Sequence, residues 1–132
     1  MFTLEQLDAA HSKVKTGADF PRYVQDIKNL GLVYYEFLVR NGQTVYYGEN
    51  NYIVEAAALY DDKTISGKSS AADVRQIIAD HQQGKSDFFT FCTQVADAGV
   101  EKWVVDTRIL LCSYYDLAGN CLVAEPIPEV SE

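Results

Sequence analysis

The chain has 132 residues, 48% of them apolar, and a net charge of −8. That length suits one domain, residues 1–132, burying about two-thirds of its unfolded surface. The acidity argues against nucleic acid as a partner, because phosphate binding needs a basic footprint and the lysines and arginines here are scattered.

Thr3 and Gln6 form a capping-box pattern ahead of Leu4, Leu7, His11 and Val14, which recur at helical spacing and predict a first helix over 3–14. Thr16-Gly17-Ala18 breaks it. Asp19 is the expected cap of a second helix, with Pro21 in its first turn, where a missing N–H is harmless. Phe20, Tyr23, Val24, Ile27 and Leu30 make one apolar stripe, stopped by Gly31. Val33 to Arg40 is β-branched and aromatic, and Asn41-Gly42 predicts a two-residue type I′ hairpin. That hairpin would pair Phe37 with Tyr46, Glu36 with Tyr47 and Tyr35 with Gly48. Tyr35, Phe37, Val39 and Tyr46 would share one face, and Tyr34, Glu36, Leu38, Val45 and Tyr47 the other. Tyr52 to Ala58 reads as a third strand, its alanines leaving the later part ambiguous with helix.

A polar connector spans Tyr60 to Ser70. Ser70 with Asp73 opens a third helix bearing Val74, Ile77, Ile78 and His81, ended by Gly84. Ser86 or Asp87 caps a fourth, with the stripe Phe88, Phe91, Cys92, Val95 and Ala98 and a stop at Gly99. Strands are expected at Val100 to Asp106, Ile109 to Tyr115 and Cys121 to Glu125, followed by an extended acidic tail. No apolar run approaches the ~20 residues of a membrane span, and Met1-Phe2-Thr3-Leu4-Glu5 lacks the features of a signal peptide. Cys92, Cys112 and Cys121 have no CxxC spacing, so free thiols in the cytoplasm are expected. A Cys112–Cys121 bridge across a hairpin is the alternative that this compartment disfavours.

Asp19-Phe20 laid on Asp87-Phe88 aligns the following residues without a gap. Phe20, Tyr23, Val24, Ile27, Leu30, Gly31 and Leu32 fall on Phe88, Phe91, Cys92, Val95, Ala98, Gly99 and Val100. The expectation is an α+β, two-layer fold of internally duplicated αα-βββ units, at about 1–60 and 70–125, helices covering an antiparallel sheet or pair of sheets. Ligand sites in such a fold tend to lie where the halves meet.

The series His81-Gln82-Gln83-Gly84-Lys85-Ser86-Asp87-Phe88, Phe91-Cys92, Ala98-Gly99-Val100-Glu101-Lys102-Trp103, Asp106 and Tyr114-Tyr115-Asp116 resembles the signature of the YdfO-like proteins. So does the earlier series Tyr23, Ile27-Lys28, Gly31, Tyr35, Gly42, Thr44, Tyr46 and Gly48. These are short bacterial proteins, often prophage-borne, some labelled "phage envelope protein". The resemblance covers nearly the whole chain. It implies a compact α+β domain of unknown function and brings no catalytic residue, ligand or partner.

Several residues could carry chemistry. His81 and Asp87 flank a glycine loop and could form a general base or a binding pair. They equally suit a helix C-terminus and an N-cap, the reading favoured by Asp19 at the equivalent cap. Cys92 could act as a nucleophile with His81 as its base, but it sits on an apolar stripe where a cysteine behaves as a small hydrophobe. No zinc-like spacing and no GxGxxG, P-loop, GxSxG or HExxH motif occurs, so no metal or cofactor is expected. Nine tyrosines include adjacent pairs at 34–35, 46–47 and 114–115, one member of each facing outward in a strand. Tyr34, Tyr47, Trp103 and Tyr115 are the candidate binding residues, although tyrosine also simply suits a sheet face, and Trp103 also suits the core.

These readings favour a small non-catalytic cytoplasmic binding or regulatory module. Its partner would be a basic or neutral protein or a small-molecule ligand. Two alternatives are an enzyme with a small pocket using His81 and Asp87, and a phage structural component. An exposed third strand could also pair across a homodimer axis.

Overall fold

The computed structural model describes residues 1–15 and 17–130. Thr16, part of the predicted helix break, and residues 131–132 of the acidic tail lie outside the described residues. The order is α1 (Leu4–His11), a 3-10 turn (Gly17–Asp19), α2 (Phe20–Asn29), β1 (Leu32–Leu38), β2 (Gln43–Gly48) and β3 (Ile53–Glu55). There follow α3 (Ala71–Gln82), α4 (Phe88–Asp97), β4 (Lys102–Asp106), β5 (Leu111–Tyr115) and β6 (Cys121–Pro126). All six strands form one antiparallel sheet in the order β3-β2-β1-β4-β5-β6, so the alternative of two sheets does not occur.

The helix caps follow local chemistry. Thr3 and Gln6 exchange backbone hydrogen bonds at 2.9 and 3.2 Å, completing the capping box of α1. Ser70 accepts from the Asp73 N–H and Asp87 from the Thr90 N–H. Asp19 holds the expected N-cap position of α2 but makes no side-chain cap bond: it ends a 3-10 turn in a right-handed helical conformation, and its carboxylate accepts from the Lys15 N–H at 2.8 Å.

The first hairpin differs from the predicted one by two residues. Tyr34 pairs with Tyr47, Tyr35 with Tyr46 and Leu38 with Gln43. The turn therefore holds four residues rather than two. The Gly42 N–H donates to the Leu38 carbonyl at 2.8 Å, Asn41 Oδ1 accepts from the Gln43 N–H, and Gly42 alone takes a positive φ, +74°. A type I′ turn needs positive φ at both central residues, so it is absent. A two-residue slip preserves facing, since side chains alternate with period two. The third strand is also shorter than predicted, Ile53–Glu55 against 52–58.

The two halves meet at the sheet centre. β1 and β4 pair from Tyr34↔Asp106 to Leu38↔Lys102, with Glu36 opposite Val104. From α2 and α4 onward, positions 68 apart correspond. The Val39 N–H donates to the Glu101 carbonyl and the Thr107 N–H to the Val33 carbonyl, the same bond seen from either half. Gly48 bonds Tyr52 as Asp116 bonds Asn120. Tyr23 packs edge-on to Tyr35 as Phe91 does to Trp103, and Tyr35 meets Tyr46 as Trp103 meets Tyr114. Leu110, at φ +51°, takes the left-handed place that Gly42 holds in the other hairpin, a conformation costing a leucine about 1–2 kcal/mol.

The helices cover one sheet face. Tyr35, Phe37, Tyr46, Trp103, Val105, Cys112, Tyr114 and Val123 point into that layer and are buried with Val24, Ile27, Val74, Phe91 and Val95. Thr107, also buried, donates its hydroxyl to the Leu32 and Val33 carbonyls, so its polar group is satisfied.

Gly99, which ends α4, fits one spot tightly. Its φ is +93°, and a Cβ there would lie 2.6 Å from Ser69 Cα. Its counterpart Gly31 has φ +99° with nothing within 4 Å. Gly31→Ala should therefore cost only the backbone term of about 1–2 kcal/mol. Gly99→Ala should cost about 1–3 kcal/mol more, because overpacking adds to it. Denaturant midpoints of the two variants check this ordering, and equal losses would contradict the Ser69 packing.

Candidate functional site on the open sheet face

Strand alternation gives the opposite sheet face three rows. Ile53, Tyr47, Tyr34, Asp106 and Leu111 form one row, and Glu55, Val45, Glu36, Val104 and Ser113 the next. Gln43, Leu38, Lys102 and Tyr115 form the third. Among the described residues no helix packs on this face, and its tyrosines stay only partly buried.

A connected cluster occupies its middle. Tyr34 and Tyr47 stack at 4.3 Å between ring centroids, 12° from parallel. Tyr47 donates its phenol proton to Glu36 Oε1 at 3.0 Å. Lys102 Nζ bonds Glu36 Oε2 at 2.8 Å and stands 5.9 Å over the Tyr115 ring. Burial first, then the hydrogen bond to Glu36 and its charge, push the Tyr47 phenol up to about 12. The hydrogen bond to Glu36 raises Lys102 above its usual value. At neutral pH, Glu36 thus accepts from a neutral phenol and a full ammonium. Such a half-exposed pair contributes about 0.5–1 kcal/mol to stability, and the stacked tyrosines a similar amount.

The sequence does not single out Glu36 and Lys102. Alternation assigns Glu36 to the correct face, but its partner lies 66 residues on in the other half. Only the β1–β4 junction brings the two together. Of the sequence candidates, Tyr34, Tyr47 and Tyr115 share this face. Trp103 does not: it is 6% exposed and stacked on Phe37 at 4.2 Å in the helix-covered core. Its place opposite Phe37 on the inward-facing side of β4 makes it a packing residue.

The inter-helix loop brings His81 and Asp87 close without joining them. His81 Nδ1 lies 3.0 Å from the Ser86 carbonyl and 3.1 Å from its hydroxyl. A carbonyl can only accept, so the Nδ1 proton is fixed there. The ring stacks on Phe91 at 4.4 Å. His11, in the last turn of α1, meets Tyr23, the counterpart of Phe91, edge-on at 5.4 Å. Asp87 is exposed, and the Thr90 N–H holds its carboxyl below the usual range, with the His81 charge the smallest contributor. Cys92 is fully buried. Burial pushes its thiol up to about 11, against smaller lowering effects from Tyr60 and Lys63. A thiol kept protonated is a poor nucleophile. Cys112, also buried, is pushed up to about 12. All three cysteines are free.

Among the described residues, no group of His, Cys, Asp and Glu side chains converges as a metal site. No described helix is long and apolar enough to cross a membrane. A shallow groove of about 330 Å³ lies between α1 and α2, lined by Gln6, Ala10, Lys13, Asp26 and Leu30.

The residues that carry both halves and the open face fall inside one family match. The chain belongs to the family described as "Protein of unknown function (DUF1398)". The match runs over residues 8–126, from within α1 to the end of β6. A comparison with curated proteins finds no match. The family assigns no activity, and nothing in the fold indicates catalysis or a specific role.

The thiols give a direct check on the chemistry of the helical layer. Cys121 is exposed, so one thiol per native chain should react quickly with an aromatic disulfide reagent. Cys92 and Cys112 should react only as the chain unfolds. Rapid native labelling of Cys92, located by peptide mapping, would restore it as a nucleophile.

Proposed function

We propose that this protein is a non-catalytic binding module that docks its partner on the open sheet face. The observation that carries this reading is the Tyr34–Tyr47–Glu36–Lys102–Tyr115 cluster. It spans the junction of the halves, lies on an uncovered surface, and contributes little to packing. Tyrosine offers large contact area at low entropic cost, which suits an interface. On this face Tyr34 corresponds to Lys102, Glu36 to Val104 and Leu38 to Asp106, while Tyr47 and Tyr115 are counterparts. Packing alone does not require that divergence.

Three finer readings go with it. Residues 1–132 form one domain that arose by duplication of an αα-βββ unit, supported by the 68-residue correspondence of hydrogen bonds, ring pairs and left-handed positions. A YdfO-like, prophage-borne origin rests on the motif series from His81 to Asp116. Three free thiols support a reducing, cytoplasmic setting.

A photo-crosslinking amino acid placed at Tyr47 or Tyr115, and at exposed Arg75 on α3 as a control, tests the docking face in producing cells. Tyr47→Ala and Tyr115→Ala should each cost about 1 kcal/mol, against about 3–5 kcal/mol for Trp103→Ala, so the folded state tolerates the replacement. Adducts confined to positions 47 and 115 are expected. Their absence, or equal adducts from position 75, would overturn the reading.

A further inference from the structure

We infer that the partner on the open face is a basic protein segment presenting arginine or lysine side chains to the tyrosines. This deepens the binding-module reading above and rests on it. Charge is the first argument. Within the strands of this face, Glu36, Glu55 and Asp106 supply three carboxylates against one ammonium, Lys102. The cations at the two ends of the sheet are already engaged, Arg40 with Asp62 at 3.9 Å and Arg108 with Glu49 at 3.3 Å. The whole chain carries −8.

That balance selects among occupants. A second copy laid face to face would set an acidic surface against itself, and like charges across an interface are unfavourable. Nucleic acid and anionic lipid meet the same repulsion. A basic segment meets attraction, which also speeds its encounter.

The second argument is that the face already seats one cation in the proposed manner. The Lys102 ammonium is held by the Glu36 carboxylate while standing over the Tyr115 ring. The Tyr34–Tyr47 stack offers a further aromatic surface near carboxylates: Asp106 pairs directly with Tyr34, and the Glu55 charge reaches the Tyr47 phenol. An arginine on such a ring gains a cation–π contact of about 0.5–2 kcal/mol, and a neighbouring carboxylate supplies its hydrogen-bond partner.

A phage-displayed library of random peptides, selected on the full-length protein, tests this. Enriched peptides should be rich in arginine and lysine, and should bind more weakly as ionic strength rises. The double variant E55Q/D106N removes two charges. The side-chain amide oxygen that D106N introduces can still accept from the Arg108 and Ile109 N–H groups, as Asp106 Oδ1 does. The variant should weaken these peptides by about tenfold. Tyr47→Ala should weaken them comparably. Peptides that are not basic, yet lose binding in Tyr47→Ala, would overturn the basic partner and leave the docking face standing. Peptides indifferent to Tyr47→Ala would bind elsewhere and overturn both. Failure to enrich any sequence over background would also overturn the proposal.

Discussion

The antiparallel pairing of β1 with β4 is the constraint on which the rest depends. Each half brings two helices and a three-stranded meander, which alone would leave two strand edges unpaired. Joining the first strands of the two meanders removes an edge from each and makes one six-stranded sheet. Because Glu36 lies opposite Val104, its own counterpart, the register places both helical pairs on the same face. A slip of one residue would turn Tyr35 and Phe37 to the face opposite Trp103 and Val105. The register thus defines both the core and the surface left uncovered.

Much of this is legible in the chain. The apolar stripes from Phe20 and Phe88, with their glycine stops, mark the second helix of each half. Alternation through Tyr34-Tyr35, Tyr46-Tyr47 and Tyr114-Tyr115 sorts inward from outward rings correctly. The first hairpin turn is not legible, because Asn-Gly is a strong local signal for a two-residue turn. Here Tyr60 overrides it: its hydroxyl donates to the Val39 carbonyl, and its ring packs within 2.8 Å of a Cβ position on Gly42. That is a contact with the connector, invisible to a window of four residues. The third strand ends early: the Ala56 N–H still donates to the Thr44 carbonyl, and beyond it the chain runs along the hairpin turn into that connector.

The candidate site is half legible for the same reason. Strand periodicity places individual tyrosines on a face. It does not find the Glu36–Lys102 pair, which depends on which strands meet at the centre. Periodicity also says nothing of depth across a two-layer fold, so Trp103 is grouped with the outward tyrosines although it sits one position from Lys102 on the opposite face. His81 illustrates the converse. Its loop looks like a place for chemistry, yet His11 packs on the matching ring in the other half. The Nδ1 contacts with Ser86 and the stack on Phe91 account for the placement of His81.

Function then falls to what packing does not use. The helix-covered face is filled with matched rings, while the open face carries a mixed aromatic and ionic cluster across the junction. In the proposed reading the protein is a rigid platform: its strands are fixed by the covered side, and its exposed side chains are presented in rows.

Site-resolved amide hydrogen exchange tests the central junction most directly. The Val39 and Thr107 amides, whose bonds cross between the halves, should exchange only with global unfolding, together with β1 and β4. Amides of the edge strands β3 and β6 should exchange faster, by local opening. Fast exchange at Val39 and Thr107, or two halves that open as separate units with different free energies, would contradict a sheet held together at its centre.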